Sequence, residues 1–173
     1  METKEMEELV LLAKQQDTQA FARLYEWIYV DLYRYAYYTL KNTHDAEDAV
    51  SETVTDAFYG LKGLKKPEAF KSWMFAILSA KCKRKLKGYV NKTLPFEEGL
   101  AEEKVTFDSE FEERQDLRKA LRELSDKERM VLNLSVVAGF SSAEIGSMLH
   151  MNHNTVRSIQ SRALLKLKVL MVE

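Results

Sequence analysis

The chain has 173 residues, a net charge of −1, 46% hydrophobic residues, two prolines and six glycines. That is apolar material for one domain or two small ones, with too little Pro and Gly for a strand-and-turn architecture. No apolar run approaches the roughly 18 residues of a membrane span, the start Met1-Glu2-Thr3-Lys4-Glu5 lacks a secretory leader's pattern, and the single Cys82 excludes an internal disulfide and suits a reducing cytoplasm.

Residues 1–61 carry 5 basic and 12 acidic side chains. Within them the spacing predicts a helix over 5–15, with Met6, Leu9, Val10, Leu12 and Ala13 on its apolar side. Asp17 or Thr18 caps the next helix, which runs to about Leu40. Phe21, Leu24, Tyr25, Trp27, Ile28, Leu32, Tyr33, Ala36, Tyr37 and Leu40 recur along it at three- and four-residue steps. Without a basic excess nearby, so many aromatics read as core and not as a stacking surface for bases. A third helix starts near Asn42–Asp45 and ends by Gly60, burying Ala46, Ala49, Val50, Thr53, Val54, Ala57, Phe58 and Leu61. Asp45, Asp48, Glu52 and Asp56 form a separate stripe along it. Like charges so spaced repel by a few tenths of a kcal/mol per pair. The stripe is either a solvated face or a dock for a basic partner.

Residues 62–92 reverse the sign, with 10 basic and 1 acidic side chains. Lys62, Lys65 and Lys66 make a basic loop. Pro67 fits the first turn of a fourth helix and Gly88 its end. Phe70, Trp73, Met74, Ile77, Leu78 and Cys82 look inward, while Lys71, Lys81, Lys83, Arg84, Lys85 and Lys87 populate the rest. Such a density of cations opposes compaction unless a polyanion is present, so nucleic-acid contact is expected here. Cys82 has no second Cys or nearby His, and reads as a packed free thiol. From Tyr89 to Glu113 periodicity fades, Pro95 and Gly99 intervene, and residues 93–113 carry 1 basic and 8 acidic side chains. This is an acidic linker.

Beyond it, residues 114–173 carry 10 basic and 6 acidic side chains. Leu117, Leu121 and Leu124 mark a helix, and Ser125 with Glu128 is a capping box opening another. That helix buries Met130, Val131, Leu134 and Val137 and ends at Gly139. A second capping box, Ser141 with Glu144, opens a helix-turn-helix that buries Ile145, Leu149, Met151, Val156 and Ile159. Gly146 lets its helices pass closely, and His150 holds the turn position where Gly is usual. Asn152 and Asn154 suit the start of the second helix, which presents His153, Asn154, Arg157, Ser158 and Ser161 outward. None is acidic, as a helix entering a phosphate-lined groove requires. An ordinary amphipathic hairpin with a polar face would share the pattern.

With these pieces placed, the chain resembles an extracytoplasmic-function (group four, sigma-70 family) sigma factor of bacterial RNA polymerase over nearly its whole length. Asp45-Ala46-Glu47-Asp48 with Glu52-Thr53 resembles the family's clamp-docking helix, and Phe70-Lys71-Ser72-Trp73-Met74 the start of the helix that opens the minus-ten element. Ala120-Leu121-Arg122-Glu123-Leu124, Glu128-Arg129, Glu144-Ile145-Gly146, Asn154-Thr155-Val156-Arg157-Ser158 and Arg162-Ala163 resemble the fourth region and its minus-thirty-five recognition helix. Ala76, Ser79 and Ala80 stand where the family commonly has arginines and an asparagine.

The resemblance implies an all-α protein of two small helical domains, 1–90 and 113–173, joined by the acidic linker 91–112, the second a helix-turn-helix. It implies no enzyme activity, no cofactor and no metal. Its partners would be core RNA polymerase at Asp45, Asp48, Glu52 and Asp56, and promoter DNA, with an anti-sigma factor as a further candidate. Minus-ten contacts would fall to Lys62, Lys65, Lys66, Phe70, Trp73, Lys81, Arg84 and Lys85. Minus-thirty-five contacts would fall to Asn152, His153, Asn154, Arg157, Ser158, Ser161, Arg162 and Lys166. No membrane insertion is expected, and the setting is the cytoplasm. Two rivals stay open. A helix-turn-helix regulator acting without polymerase leaves the acidic stripe unexplained, and a protein-only helical adaptor leaves the basic block unexplained.

Overall fold

The structure, a computed structural model, describes residues 1–91, 117 and 119–172, and is all-α in them. Four long helices come first: α1 (Thr3–Lys14), α2 (Thr18–Leu40), α3 (Thr43–Gly60) and α4 (Phe70–Asn91). Asp17 caps α2 by accepting from the amides of Gln19 and Ala20, both at 3.0 Å. Asn42 caps α3 by accepting from Asp45 N at 2.8 Å. Short 3₁₀ turns, Leu61–Gly63 and Pro67–Ala69, lead into α4. Pro67 therefore opens a 3₁₀ turn and not α4 itself. Gly88 does not end α4, which continues to Asn91; a single glycine costs a helix about 1 kcal/mol relative to Ala, less than a packed helix face returns.

The core of this half is Leu24, Ile28, Leu32, Tyr35, Ala46, Ala49, Phe70, Met74, Phe75, Leu78 and Cys82, all almost fully buried. Tyr35 and Phe75 meet edge-on at 5.7 Å, and the Tyr35 hydroxyl pairs with Ser79 Oγ at 2.9 Å. That buried partner gives Ser79 a structural use. Burial pushes the Cys82 thiol up to about 12, in keeping with an inert packed group. Tyr25, Trp27, Tyr33 and Tyr37 pack against this core as expected, though only partly buried. Two other expectations fail: Leu12 of α1 is exposed, and Phe58 lies 44% exposed. Tyr25, Tyr29, Tyr33 and Tyr37 form a part-exposed column down α2, with ring centroids 5.4, 6.1 and 6.2 Å apart in turn.

Residues 119–122 are helical, and three helices follow: α5 (Asp126–Val136), α6 (Ser142–Leu149) and α7 (His153–Val172). Both capping boxes form, Ser125 with Glu128 and Ser141 with Glu144. The helix expected to end at Gly139 stops at Val136, and Gly139 follows with φ +75°. Of the expected linker 91–112, Asn91 belongs to α4 and the rest lies outside the described residues.

The two halves touch. Met130, Val131, Leu134, Ala138, Phe140, Ile145, Val156 and Ile159 share one continuous apolar cluster with the core of α1–α4. A smaller cluster, Leu121, Leu124, Leu132 and Ala163, takes Tyr38 of α2 against it.

Candidate nucleic-acid interface

The helix-turn-helix is α6, the turn at His150–Asn152, and α7. A Cβ on Gly146 would lie 2.5 Å from the Met151 carbonyl oxygen, a backbone atom that cannot swing away. The close approach expected of this glycine is therefore present. His150 adopts the left-handed conformation at φ 55°, ψ 48°, and its amide donates to the Gly146 carbonyl. Asn152 starts α7, its side chain accepting from Asn154 N at 2.8 Å. Val156, Ile159 and Ala163 seat the helix, and Gln160 Nε2 ties it to Ser135 Oγ of α5 at 2.6 Å.

With that face buried, Asn152, His153, Asn154, Arg157, Ser158, Ser161 and Arg162 all stand exposed on the other. Glu144, the acid that could have pinned Arg157, spends its carboxylate on the Ser141 amide at 2.8 Å. No ion pair between it and Arg157 occurs among the described residues. Arg162 Nε leans back on the Ser158 carbonyl at 3.3 Å. Lys166 stands apart from the row: its Nζ donates to Glu128 at 2.9 Å, and that bond leads the causes holding the Glu128 carboxyl below its usual range.

In the first half Lys62, Lys65 and Lys66 are exposed on a loop pinned by buried Leu61 and Leu64. Lys14 Nζ fixes the loop further by donating to the Leu64 carbonyl at 2.6 Å. Trp73 is half-buried at its edge, with a ring atom 3.6 Å from where a Gly60 Cβ would stand. Phe70, expected to meet bases directly, is fully buried and packs its ring 6.3 Å from that of Trp73.

The basic helix and the acidic stripe face one another. Lys81 pairs with Asp56 and lies 3.8 Å from Glu52; Arg84 pairs with Glu52; Lys85 pairs with Asp48 and lies 3.9 Å from Glu52. Tyr89 donates to Asp45. The stripe is thus no row of unpaired charges, and the polyanion that α4 required is partly α3 itself. Lys81 and Lys85 side chains are only 16% exposed, whereas Lys83 and Lys87 face solvent. The hydrogen bond from Lys85 is the chief reason that the Asp48 carboxyl sits below its ordinary range. Among the described residues no group of His, Cys, Asp or Glu could hold a metal ion, and no helix is long and apolar enough to cross a membrane.

These two surfaces coincide with two matched regions. The family model for sigma-70 region 2 matches residues 24–90, and that for sigma-70 region 4 matches residues 114–167. The RNA polymerase sigma factor SigV of Bacillus subtilis is 28% identical over 145 residues, 80% of this chain and 83% of that protein. The ECF RNA polymerase sigma factor SigM of Mycobacterium tuberculosis is 26% identical over 148 residues, 85% and 74%. Two solved structures share the fold. CnrH, in complex with the cytosolic domain of CnrY, has a TM-score of 0.73 at 21% identity, covering 96% of this chain and 97% of that one. The sigma factor RpoE, in complex with the anti-sigma factor NepR from Bartonella quintana, has a TM-score of 0.75 at 24% identity, covering 87% and 96%.

The protein is a two-region, all-helical transcription initiation factor. More particularly, the chain belongs to the sigma-70 family, in its extracytoplasmic-function group, and it directs promoter-specific transcription initiation. A regulator acting without polymerase is not favoured, since it would need only the second region.

Proposed function

We propose a division of labour in which α3 docks on core RNA polymerase, the Lys62–Lys66 loop with α4 takes the minus-ten element, and α7 reads the minus-thirty-five element. Residues 1–90 and 113–173 would act as the two domains. The single observation that carries this reading is the outer face of α7: a recognition helix seated by Val156, Ile159 and Ala163, with an unbroken row of polar and basic groups turned outward. Arg157 is the base-reading candidate on it, with Asn154 and Ser158 beside it. Asn152, His153 and Ser161 border them, while Arg162 and Lys166 lie further along, where phosphate contact fits better. Lys166 must leave Glu128 to reach DNA.

For the minus-ten element, Lys62, Lys65 and Lys66 are free to meet phosphates, and Trp73 offers the aromatic wall on which a flipped base stacks. Phe70 acts behind it, by holding the Trp73 ring. Lys81, Arg84 and Lys85 already answer Asp48, Glu52 and Asp56, so they serve DNA only by exchanging partners. The same carboxylates, with Asp45, serve the polymerase from their outer edges. RNA polymerase does the chemistry, so this chain is no enzyme and requires no cofactor. It works in the cytoplasm. An anti-sigma protein is a third expected partner, because the RpoE of like fold was solved bound to one.

Co-purification with core polymerase tests the dock. Asp48→Asn with Glu52→Gln keeps shape and removes charge, and should weaken core binding by about tenfold at constant helicity. Retention of full binding would remove α3 from the interface.

A further inference from the structure

The cations of α4 fall into two sets by what they face. Lys81 and Lys85, one turn apart, turn to α3 and answer Asp56, Glu52 and Asp48. Lys83 and Lys87, also one turn apart, stand exposed on another side of the helix and have no hydrogen bond or ion pair among the described residues. Like charges so spaced repel one another. Neither lysine lies in the last turn of α4, where the helix dipole would hold a cation. Nothing inside the described fold therefore accounts for the pair.

Position along the helix says what they can reach. Ala80, Arg84 and Lys87 follow Trp73 by close to whole turns of about 3.6 residues, so they share its side of α4, with Lys83 beside them. Lys83 and Lys87 lie about 15 and 21 Å beyond Trp73 at about 1.5 Å per residue. Along a duplex at about 3.4 Å per pair, that distance is roughly four to six base pairs. A base stacked on Trp73 is thus out of their reach, and the nucleic acid that they meet is its flank.

The chemistry of this stretch fits paired DNA better than an unpaired strand. Beyond Trp73 this side of α4 holds no aromatic ring on which a free base could stack: Phe75 is buried, and Tyr89 is turned to Asp45. Ala80 carries no hydrogen-bonding group in its side chain. A lysine ammonium is a point charge on a flexible stem, without the planar fork that matches a base edge. What remains is attraction to phosphate, which is densest along a duplex. Contacts of that kind fix position and carry no sequence information.

We propose that Lys83 and Lys87 form a sequence-blind clamp on the phosphate backbone of the duplex flanking the minus-ten element. The site is separate from the Lys62–Lys66 loop and Trp73, and it rests on the minus-ten reading of α4 above. Arg84 joins it only by leaving Glu52. The clamp fixes where the duplex lies, roughly four to six base pairs from the stacked base, and leaves the choice of sequence to other residues.

Holoenzyme of core RNA polymerase and the full-length chain is bound to a genomic fragment from which it starts a specific transcript. Lys83→Gln with Lys87→Gln should leave helical circular dichroism and core binding unchanged. Fragment binding should weaken by about tenfold at moderate salt, and the slope of log affinity against log salt should shrink by about two units, at about 0.9 per phosphate. The loss should be the same factor for every base substitution in the flank, and Lys83→Arg with Lys87→Arg should restore the slope. Hydroxyl-radical footprinting should show backbone protection, roughly four to six pairs from the unpaired base, that the double Gln variant loses. An unchanged slope and footprint overturns the clamp, as does a loss confined to certain base pairs. Protection lost with the Gln pair while Trp73→Ala leaves minus-ten opening intact supports the clamp and overturns the reading it rests on.

Discussion

At Gly146 one carbon decides whether the helix-turn-helix closes. A Cβ there would meet the Met151 carbonyl oxygen at 2.5 Å, and α6 can give way only by moving off α7. Gly146→Ala should cost about 1–3 kcal/mol, the range for forcing atoms into a packed site, read as a lowered denaturation midpoint. Minus-thirty-five binding should fall with it. Arg157→Ala should leave stability alone but cost about 1–3 kcal/mol of promoter binding and relax choice at one base position. If every minus-thirty-five variant weakens by the same factor, Arg157 holds a phosphate instead. Lys166 replacement should weaken all sequences alike and lower the salt slope by about one unit. Residue chemistry of this sort was legible in the sequence, because caps and close glycines act over three to six positions. Ser141, Glu144, Gly146 and Asn152 were placed from their spacing alone. Arg129 was not: its partner Thr39 lies 90 residues away, and no periodicity encodes such a meeting.

The helices themselves were legible to within a turn, but their faces less so. Four-residue steps rotate by about 40° each, so Tyr25, Tyr29, Tyr33 and Tyr37 drift along the edge of the core stripe. Tyr35 takes the buried place instead. Charge was harder still, since the sequence shows which helix is acidic and not what lies across from it. The α3–α4 pairing changes what a mutation there means. Reversing Asp48 and Glu52 to Lys would set two cations against Lys81, Arg84 and Lys85, and would loosen α4 as well as any polymerase contact. The neutral Asn and Gln pair avoids that.

The pairing also has a pH signature. A depressed carboxyl stabilises the fold at pH above its unfolded value, and loses that contribution as pH falls through the folded one. For Asp48, and for Glu128 with Lys166, the loss falls on the acid side of the ordinary carboxylate range. Stability should therefore be level near neutrality and decline in acid. Proton titration of Asp48 followed by magnetic resonance, with Lys85→Met as control, should show the carboxyl returning to its ordinary range in the variant. An unchanged titration would remove Lys85 as the cause.

As a whole the molecule sets the two surfaces proposed to meet DNA on opposite halves of a chain whose halves share one apolar core. The sequence pointed to two functional blocks of like sign held apart by an acidic stretch; the region 4 match lies within the second block, and the region 2 match takes in the first together with α3 and most of α2. It gave no sign of the shared core, whose members sit in helices read separately. The central claim is that this chain supplies promoter choice to a polymerase. The direct measurement is transcription by purified core RNA polymerase on a pool of genomic fragments, with and without the full chain, mapping transcript starts. A limited set of starts should appear only with the chain, share one pair of spaced elements, and be lost with Arg157→Ala. Starts that are the same with and without the chain would contradict the claim.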